Sequence, residues 1–232
     1  MDKKPIILLS CAIFEPIFKE NGYEAGFDEV IYLEIGLHNA PKKLKSNIQE
    51  RLDQISEPSL IVLGYGLCGN GLAGIRSGIH TLLVSKADDC IMLLMGSRER
   101  YFEEHRKNPG TYFLSRGWLE ADLNPLEEYV EVVDKYGEKT ALMVMDMQYR
   151  NYTRLVFIAH NQKDFSDCQN QLQPVVNFFS RWDLKYQEYL GSLDFIHRLL
   201  EKATNSPSET ANDFIVVPPE GELTQRDFLA YE

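Results

Sequence analysis

The chain has 232 residues, of which 35 are acidic and 24 are basic, so its formal net charge is −11. Hydrophobic residues make up 44% of the sequence and charged residues 25%, which is typical of globular proteins and excludes disordered and fibrous classes. The excess of negative charge argues against a nucleic-acid partner, because duplex binding needs clustered Lys and Arg. No apolar run approaches the roughly 20 residues of a membrane span, so we expect no membrane partner.

The cysteine content indicates the compartment. Four cysteines in a chain of this length are too few for the disulfide scaffold of a secreted protein. The first apolar run, residues 6–9, is too short for the core of a signal peptide. We therefore expect a cytoplasmic protein, in which cysteines bind metal, react or pack in the core.

Short apolar runs alternate with amphipathic segments in the first half of the chain. Strands are predicted at Pro5–Ser10, Glu29–Ile35, Leu60–Leu63 and Thr81–Val84. A helix is predicted at Pro41–Ile55, where apolar residues recur every three or four positions, and another from an N-cap at Asp88–Asp89 to about Lys107. This strand-helix alternation predicts parallel strand pairing.

The second half repeats the alternation after an aromatic middle segment. The middle segment contains predicted helices at Leu126–Tyr136 and Ala141–Met147. The second half contains predicted helices at Phe165–Arg181 and Ser192–Ala203 and predicted strands at Leu155–Ala159, Lys185–Leu190 and Phe214–Val217. We predict an α/β fold with a largely parallel sheet flanked by helices, in two βαβ-type halves. These halves are residues 1–110 and 154–232, joined by an aromatic helical connection at 111–153. One compact, doubly wound domain and two separate lobes both fit the pattern.

A Cys or His residue follows each predicted strand of the first half. These residues are Cys11, His38, Cys68 and Cys90, separated by 27, 30 and 22 residues. Because each spacing matches one strand-helix unit, a parallel sheet would bring all four to its carboxyl edge, where open α/β sheets bind ligands. Three thiolates and one imidazole form a tetrahedral ligand set for zinc, with iron as the second choice. The alternative is that the cysteines fill the core, as free Cys often does.

A glycine-rich segment, Gly64–Gly74, follows the third strand. It contains the G-x-G-x-x-G pattern, but dinucleotide-binding sites place that pattern after the first strand. We instead expect a ligand-contacting loop that positions Cys68. The predicted ligand-binding residues of this loop are Gly66, Gly69, Asn70 and Gly71. A crowded chain crossing that binds no ligand is the alternative.

Four further residues complete the predicted site. Asp89 is expected to cap the helix that starts with Cys90, where the helix dipole favours a thiolate. Arg98 is predicted to bind an anionic substrate, although a polar helix face would account for it equally. Tyr112 and Trp118 are predicted to cover the site, with core packing as the alternative. Cys168 lies in an amphipathic helix and is expected to pack.

Several of these segments carry a family resemblance. They are residues 64–72 (GYGLCGNGL), 89–91, 96–101, 110–118 and 214–219. In these motifs the sequence resembles the domain-of-unknown-function family numbered 1638, over nearly the whole chain. The resemblance implies a context in methanogens and anaerobic bacteria, where members accompany corrinoid-dependent methyltransferase systems whose enzymes activate thiols with thiolate-bound zinc. A corrinoid is thus a candidate cofactor, although no motif supports it.

The sequence therefore predicts a metal-binding protein, expected to be an enzyme that acts on a small thiol or one-carbon substrate in corrinoid-linked methyl metabolism. Its expected macromolecular partner is a corrinoid protein or a methyltransferase. The alternative is a non-catalytic accessory protein that binds a corrinoid or another anion. A third hypothesis is a thiol-redox protein that uses Cys68 and Cys90.

Overall fold

A computed structural model of the chain describes residues 4–205 and 213–229. The strands, in chain order, are β1 (Ile6–Cys11), β2 (Glu29–Leu33), β3 (Leu60–Gly64), β4 (Thr81–Ser85), β5 (Thr111–Ser115), β6 (Arg154–Ala159), β7 (Lys185–Leu190) and β8 (Phe214–Val217). The α-helices are α1 (Glu15–Glu20), α2 (Pro41–Gln54), α3 (Cys90–Met95), α4 (Arg98–Lys107), α5 (Arg116–Glu120), α6 (Pro125–Tyr136), α7 (Glu138–Tyr149), α8 (Gln162–Asp167), α9 (Gln169–Phe179), α10 (Asp194–Asn205) and α11 (Gln225–Leu229). Short 3-10 helices lie at Ala12–Phe14, Tyr23–Gly26, Leu37–Asn39 and Ser180–Trp182.

The chain forms two compact units, each with its own sheet. The first unit comprises the described parts of Met1–Arg98 and Leu193–Glu232, and the second comprises Glu99–Ser192. This division differs from the predicted halves 1–110 and 154–232, because the C-terminal segment belongs to the first unit. The predicted α/β class with largely parallel strands flanked by helices is confirmed.

The first sheet has the strand order β2-β1-β3-β4-β8. Its first four strands are parallel, and β8 pairs antiparallel with β4. The chain adds β2 on one side of β1 and then crosses to add β3 on the other, so the direction of winding reverses between β1 and β3. Such a reversal opens a crevice at the carboxyl ends of the two strands, where sheets of this type bind ligands.

The apolar runs of the first unit account for its core. Every residue of β1 and β3 is buried, as expected for parallel strands that are covered on both faces. The helix α2 buries Leu44, Ile48 and Leu52 on one face, which confirms the predicted spacing. Burial of each such side chain contributes about 1.5 to 3 kcal/mol, so these elements hold the strand ends firmly in place.

The second unit contains a parallel sheet of three strands in the order β5-β6-β7. Its central strand β6 is buried from Leu155 to Ala159, and its core is rich in aromatic side chains. The edge strand β7 has a mostly exposed surface. Cys168 is buried in this core, as predicted.

Several predicted elements differ from the structure. The helix predicted to run to Lys107 is broken into α3 and α4, because Gly96 adopts a left-handed conformation (φ +71°) that ends α3. Thr111–Ser115 is a strand rather than part of a helical connection, and it pairs with β6. The helix predicted at Phe165–Arg181 is divided into α8 and α9.

The position of β8 also differs from the prediction, which placed Phe214–Val217 in the second half of the chain. This strand extends the first sheet through β4. None of the helices in the described ranges, 4–205 and 213–229, is long and apolar enough to cross a membrane.

Candidate functional site

The four predicted metal ligands line a single cavity at the carboxyl edge of the first sheet. Cys11 ends β1, His38 lies in the 3-10 helix after β2, Cys68 follows β3, and Cys90 begins α3 after β4. The cavity has a free volume of about 10 Å³, which is the room that one water molecule or one ion needs. The lining residues are Cys11, Phe14, Glu34, Leu37, His38, Leu44, Tyr65, Cys68 and Cys90.

Gly64 brings the ends of β1 and β3 together. A Cβ atom at position 64 would lie 2.2 Å from Oγ and 2.6 Å from Cβ of Ser10. The Ser10 hydroxyl donates a hydrogen bond to the carbonyl of Gly64 at 3.2 Å, and this bond accompanies the close approach of the two residues. Cys11, which follows Ser10, is thereby held beside the start of the glycine-rich segment.

Gly66 brings the glycine-rich segment against the loop before α3. A Cβ atom at position 66 would lie 2.7 Å from the backbone N, Cα and C atoms of Asp89, a distance that backbone atoms do not tolerate. Two backbone hydrogen bonds flank this contact, from Leu67 N–H to the Ala87 carbonyl (2.8 Å) and from Cys68 N–H to the Asp88 carbonyl (2.9 Å). The absence of a side chain at Gly66 therefore brings Cys68 and Cys90 near each other.

The chain turns sharply at Cys68, Gly69 and Asn70, all of which have positive φ (+47°, +64° and +72°). Positive φ is uncommon for residues other than glycine, and strain of this kind concentrates at ligand sites. Gly69 and Asn70 are exposed, whereas Cys68 is buried. The turn thus directs the Cys68 side chain inward while the rest of the turn faces solvent.

Burial raises the pKa of all three cysteine thiols of the cavity. The pKa of Cys11 rises from 9.0 to about 11, and that of Cys68 to about 12. The pKa of Cys90 is raised well above 9.0, first by burial and then by the charges of Cys68, Asp89 and Cys11. Each thiolate therefore disfavours the others, and in the absence of a cation the three thiols are protonated at neutral pH.

Backbone groups beside Cys68 and the burial of His38 act to lower the pKa of these side chains, which favours the deprotonated forms that bind metal. The backbone N–H groups of Gly66 and Cys90 act on the Cys68 sulfur and lower its pKa, which partly offsets burial. Burial lowers the pKa of His38, and the opposing effect of Asp89 is smaller. The imidazole is therefore neutral at neutral pH, the form that coordinates metal.

Asp89 caps α3, as predicted. Its side chain accepts a hydrogen bond from the Met92 N–H at 3.1 Å. The same carboxylate raises the pKa of both Cys68 and Cys90 by charge repulsion. In the described structure this negative charge works against free thiolates, and it would instead favour a bound cation.

The side chains as placed do not form a finished metal site. Within residues 4–205 and 213–229, no group of three or more His, Cys, Asp or Glu side chains is arranged so that it could hold a metal ion. The four predicted ligands share a cavity without converging on one point. A bound cation would favour their convergence, because it stabilises the thiolate forms.

The remaining predicted ligand-binding residues are Gly71 and Arg98 in the first unit and Tyr112 and Trp118 in the second. Gly71 packs against α2, because a Cβ atom there would lie 2.6 Å from Cδ2 of Leu44. Arg98 is half-buried at the start of α4. Tyr112 and Trp118 belong to the second unit and pack against its hydrophobic core. None of these residues is among those that line the cavity.

Two polar residues of the cavity, Glu34 and Tyr65, were not predicted from the sequence. Glu34 lies just after β2, and its exposed side chain is the carboxylate of the lining. Tyr65 lies between Gly64 and Gly66 and is buried, with a relative exposure of 3%. Tyr65 lies close after a predicted strand, and this position was the sequence signal for a residue at the edge of the sheet. The glycines on either side made that signal difficult to recognise.

Comparison with known proteins identifies a family. The model of the family described as "Protein of unknown function (DUF1638)" matches residues 32–200, well over half of the chain. The matched range includes His38, Cys68 and Cys90. No curated protein and no solved structure matches the chain.

Proposed function

The chain belongs to the DUF1638 family, and we propose that it binds one metal ion through Cys11, His38, Cys68 and Cys90. We propose zinc as the metal, with iron as the second choice. The observation that carries this proposal is the shared cavity: four residues from four separate strand ends, including three of the four cysteines, surround a space for one ion.

The donor chemistry supports a soft, tetrahedral metal. Three sulfur ligands and one imidazole nitrogen suit zinc or iron and do not suit magnesium or calcium, which prefer oxygen. Metal binding would require the four side chains to reorient so that their donor atoms reach the ion. A divalent cation would also offset the burial and the mutual repulsion that keep the thiols protonated.

We further propose that the protein is an enzyme acting on a small thiol or one-carbon substrate. The metal would act as a Lewis acid that lowers the pKa of a substrate thiol, which makes its sulfur a nucleophile at neutral pH. Ligands that come from four loops, rather than from a compact C-x-x-C motif, leave room for a substrate to replace one of them. The glycine turn at Cys68–Asn70 and Arg98 are the predicted substrate-positioning elements.

The cavity volume bears on the corrinoid hypothesis. A space of about 10 Å³ suits an ion and is far smaller than a corrinoid. Corrinoid-linked methyl metabolism therefore enters this proposal only through a partner, a corrinoid protein or a methyltransferase. The four free cysteines agree with a cytoplasmic location, which is part of the same proposal.

Metal analysis after anaerobic purification tests the proposal. We expect close to one zinc or iron atom per wild-type chain, and less than about one tenth of that in Cys68→Ser, because loss of one of four ligands weakens zinc strongly. Cys168→Ser is the matched control, since Cys168 is a buried cysteine of the second unit and should retain full metal content. Metal-free wild-type protein, or equal metal loss in both variants, would contradict the proposal.

A further inference from the structure

Tyr65 carries a buried hydroxyl group without a hydrogen-bond partner in the described part of the chain. Almost all buried polar groups are hydrogen-bonded, because an unpaired one loses its interaction with water and gains nothing in return. An exception in a well-packed core therefore calls for a missing partner. The hydroxyls of Ser85, Ser115 and Tyr189 share this property, but none of them lines the cavity of the cysteines.

The position of Tyr65 relates its hydroxyl directly to the predicted metal ligands. Tyr65 lines the same cavity as Cys11 and Cys68. Its backbone is held on both sides, because Gly64 contacts Ser10 and Gly66 contacts Asp89. The phenol therefore has little freedom to find a partner elsewhere, and the cavity is the space left for one.

We infer that the Tyr65 hydroxyl donates a hydrogen bond to the non-protein ligand that enters this cavity, and that Tyr65 is a positioning residue for a small anionic sulfur ligand. This inference rests on the proposed function, since the ligand would bind to the metal ion in place of one of the four protein side chains, whose withdrawal would also make room for it. A thiolate sulfur accepts hydrogen bonds weakly but carries charge, and bonds to charged groups are the stronger kind.

The test compares ligand binding by cobalt-loaded wild type and Tyr65→Phe. Co²⁺ replaces zinc in sulfur-rich sites and gives visible absorption bands that change when a ligand binds. We expect both proteins to take up one Co²⁺ per chain. Methanethiol, the probe, should bind Tyr65→Phe about 10- to 100-fold more weakly than wild type, the effect of losing one hydrogen bond to a charged group.

Tyr32→Phe is the matched control. The Tyr32 hydroxyl also lies in the first unit, but it donates to Glu24 at 2.9 Å and does not line the cavity. We expect this variant to bind methanethiol as wild type does and to melt at a lower temperature when metal-free. Tyr65→Phe should melt at the same temperature as metal-free wild type or higher, because it removes an unpaired buried hydroxyl.

Two failures are distinguishable. If wild type binds no Co²⁺, the proposed metal site is wrong and the role of Tyr65 falls with it. If wild type and Tyr65→Phe both bind Co²⁺ and bind methanethiol equally, the metal site stands and the inference about Tyr65 is overturned. Equal weakening by Tyr32→Phe would also overturn it, because the effect would then not depend on the cavity.

Discussion

Gly66→Ala is the substitution whose effect follows most directly from the geometry. The new methyl group would lie 2.7 Å from three backbone atoms of Asp89, and backbone atoms cannot rotate away. The two segments would have to separate. Separation stretches the hydrogen bonds from Leu67 to Ala87 and from Cys68 to Asp88, which are 2.8 and 2.9 Å long.

The cost can be estimated from these contacts. Two hydrogen bonds contribute about 0.5 to 1.5 kcal/mol each, and overpacking that is not relieved costs about 1 to 3 kcal/mol. We therefore expect the free energy of unfolding of the first unit to fall by about 2 to 6 kcal/mol, the sum of these two contributions. The displacement also moves Cys68 away from Cys90, so metal affinity should fall in the same variant.

The assay must report on the first unit alone. Both tryptophans, Trp118 and Trp182, lie in the second unit, so their fluorescence should show an unchanged urea transition. In a Cys168→Ser background, which removes the buried thiol of the second unit, the reactivity of the remaining thiols toward a colorimetric reagent reports opening of the first unit. This reactivity should increase at lower urea concentration in Gly66→Ala.

Gly26→Ala is the matched control for this experiment. No atom lies within 4 Å of a Cβ at position 26, and we expect its stability to be unchanged or higher by up to about 1 kcal/mol. A Gly66→Ala protein with wild-type thiol protection and wild-type metal affinity would refute the argument that this close approach holds the site together.

Further predictions concern the charges of the site. The folded pKa values of Cys11 and Cys68 (about 11 and 12) exceed the usual 9.0, so the folded chain keeps protons that the unfolded chain loses. The stability of the metal-free protein should therefore be constant below about pH 9 and fall above it by up to about 1.4 kcal/mol per pH unit for each thiol, as measured by urea unfolding at pH 8 and pH 10; an increase would contradict the sign. Zinc binding at pH 7.5 should release about three protons, because three thiols must ionise, and indicator dye in weak buffer would detect this; release of none would exclude thiolate ligation. Asp89→Ala should destabilise the first unit by about 1 kcal/mol through loss of the cap to Met92, whereas Asp89→Asn should retain the cap; equal thiol protection in both would exclude this role.

The sequence predicted that Cys11, His38, Cys68 and Cys90 lie at one edge of the sheet, because that placement depends only on parallel strand order. Strand-helix units of similar length return each strand to the same edge of a sheet, whatever the side chains between them. The spacing of the four residues was therefore enough. Their orientation was not predictable, because it depends on turn geometry at Cys68 and on close contacts at Gly64 and Gly66.

The features that sequence analysis missed depend on contacts between distant parts of the chain. Phe214–Val217 joins the first sheet because β4 has an edge open for pairing. The local sequence of a strand does not indicate which sheet edge it pairs with. Thr111–Ser115 forms a strand because β6 pairs with it, although its aromatic residues also suit a helix face. Gly96 ends α3 through its left-handed conformation, which a glycine in an otherwise helical pattern permits but does not require.

The most direct test of the central claim is X-ray absorption spectroscopy at the zinc edge on the anaerobically purified or zinc-reconstituted protein. The account predicts three sulfur atoms at about 2.3 Å and one nitrogen at about 2.0 Å from zinc, with one sulfur lost in each of the single variants Cys11→Ser, Cys68→Ser and Cys90→Ser that still binds metal. A shell made only of oxygen and nitrogen, or three sulfurs retained in all three variants, would contradict it.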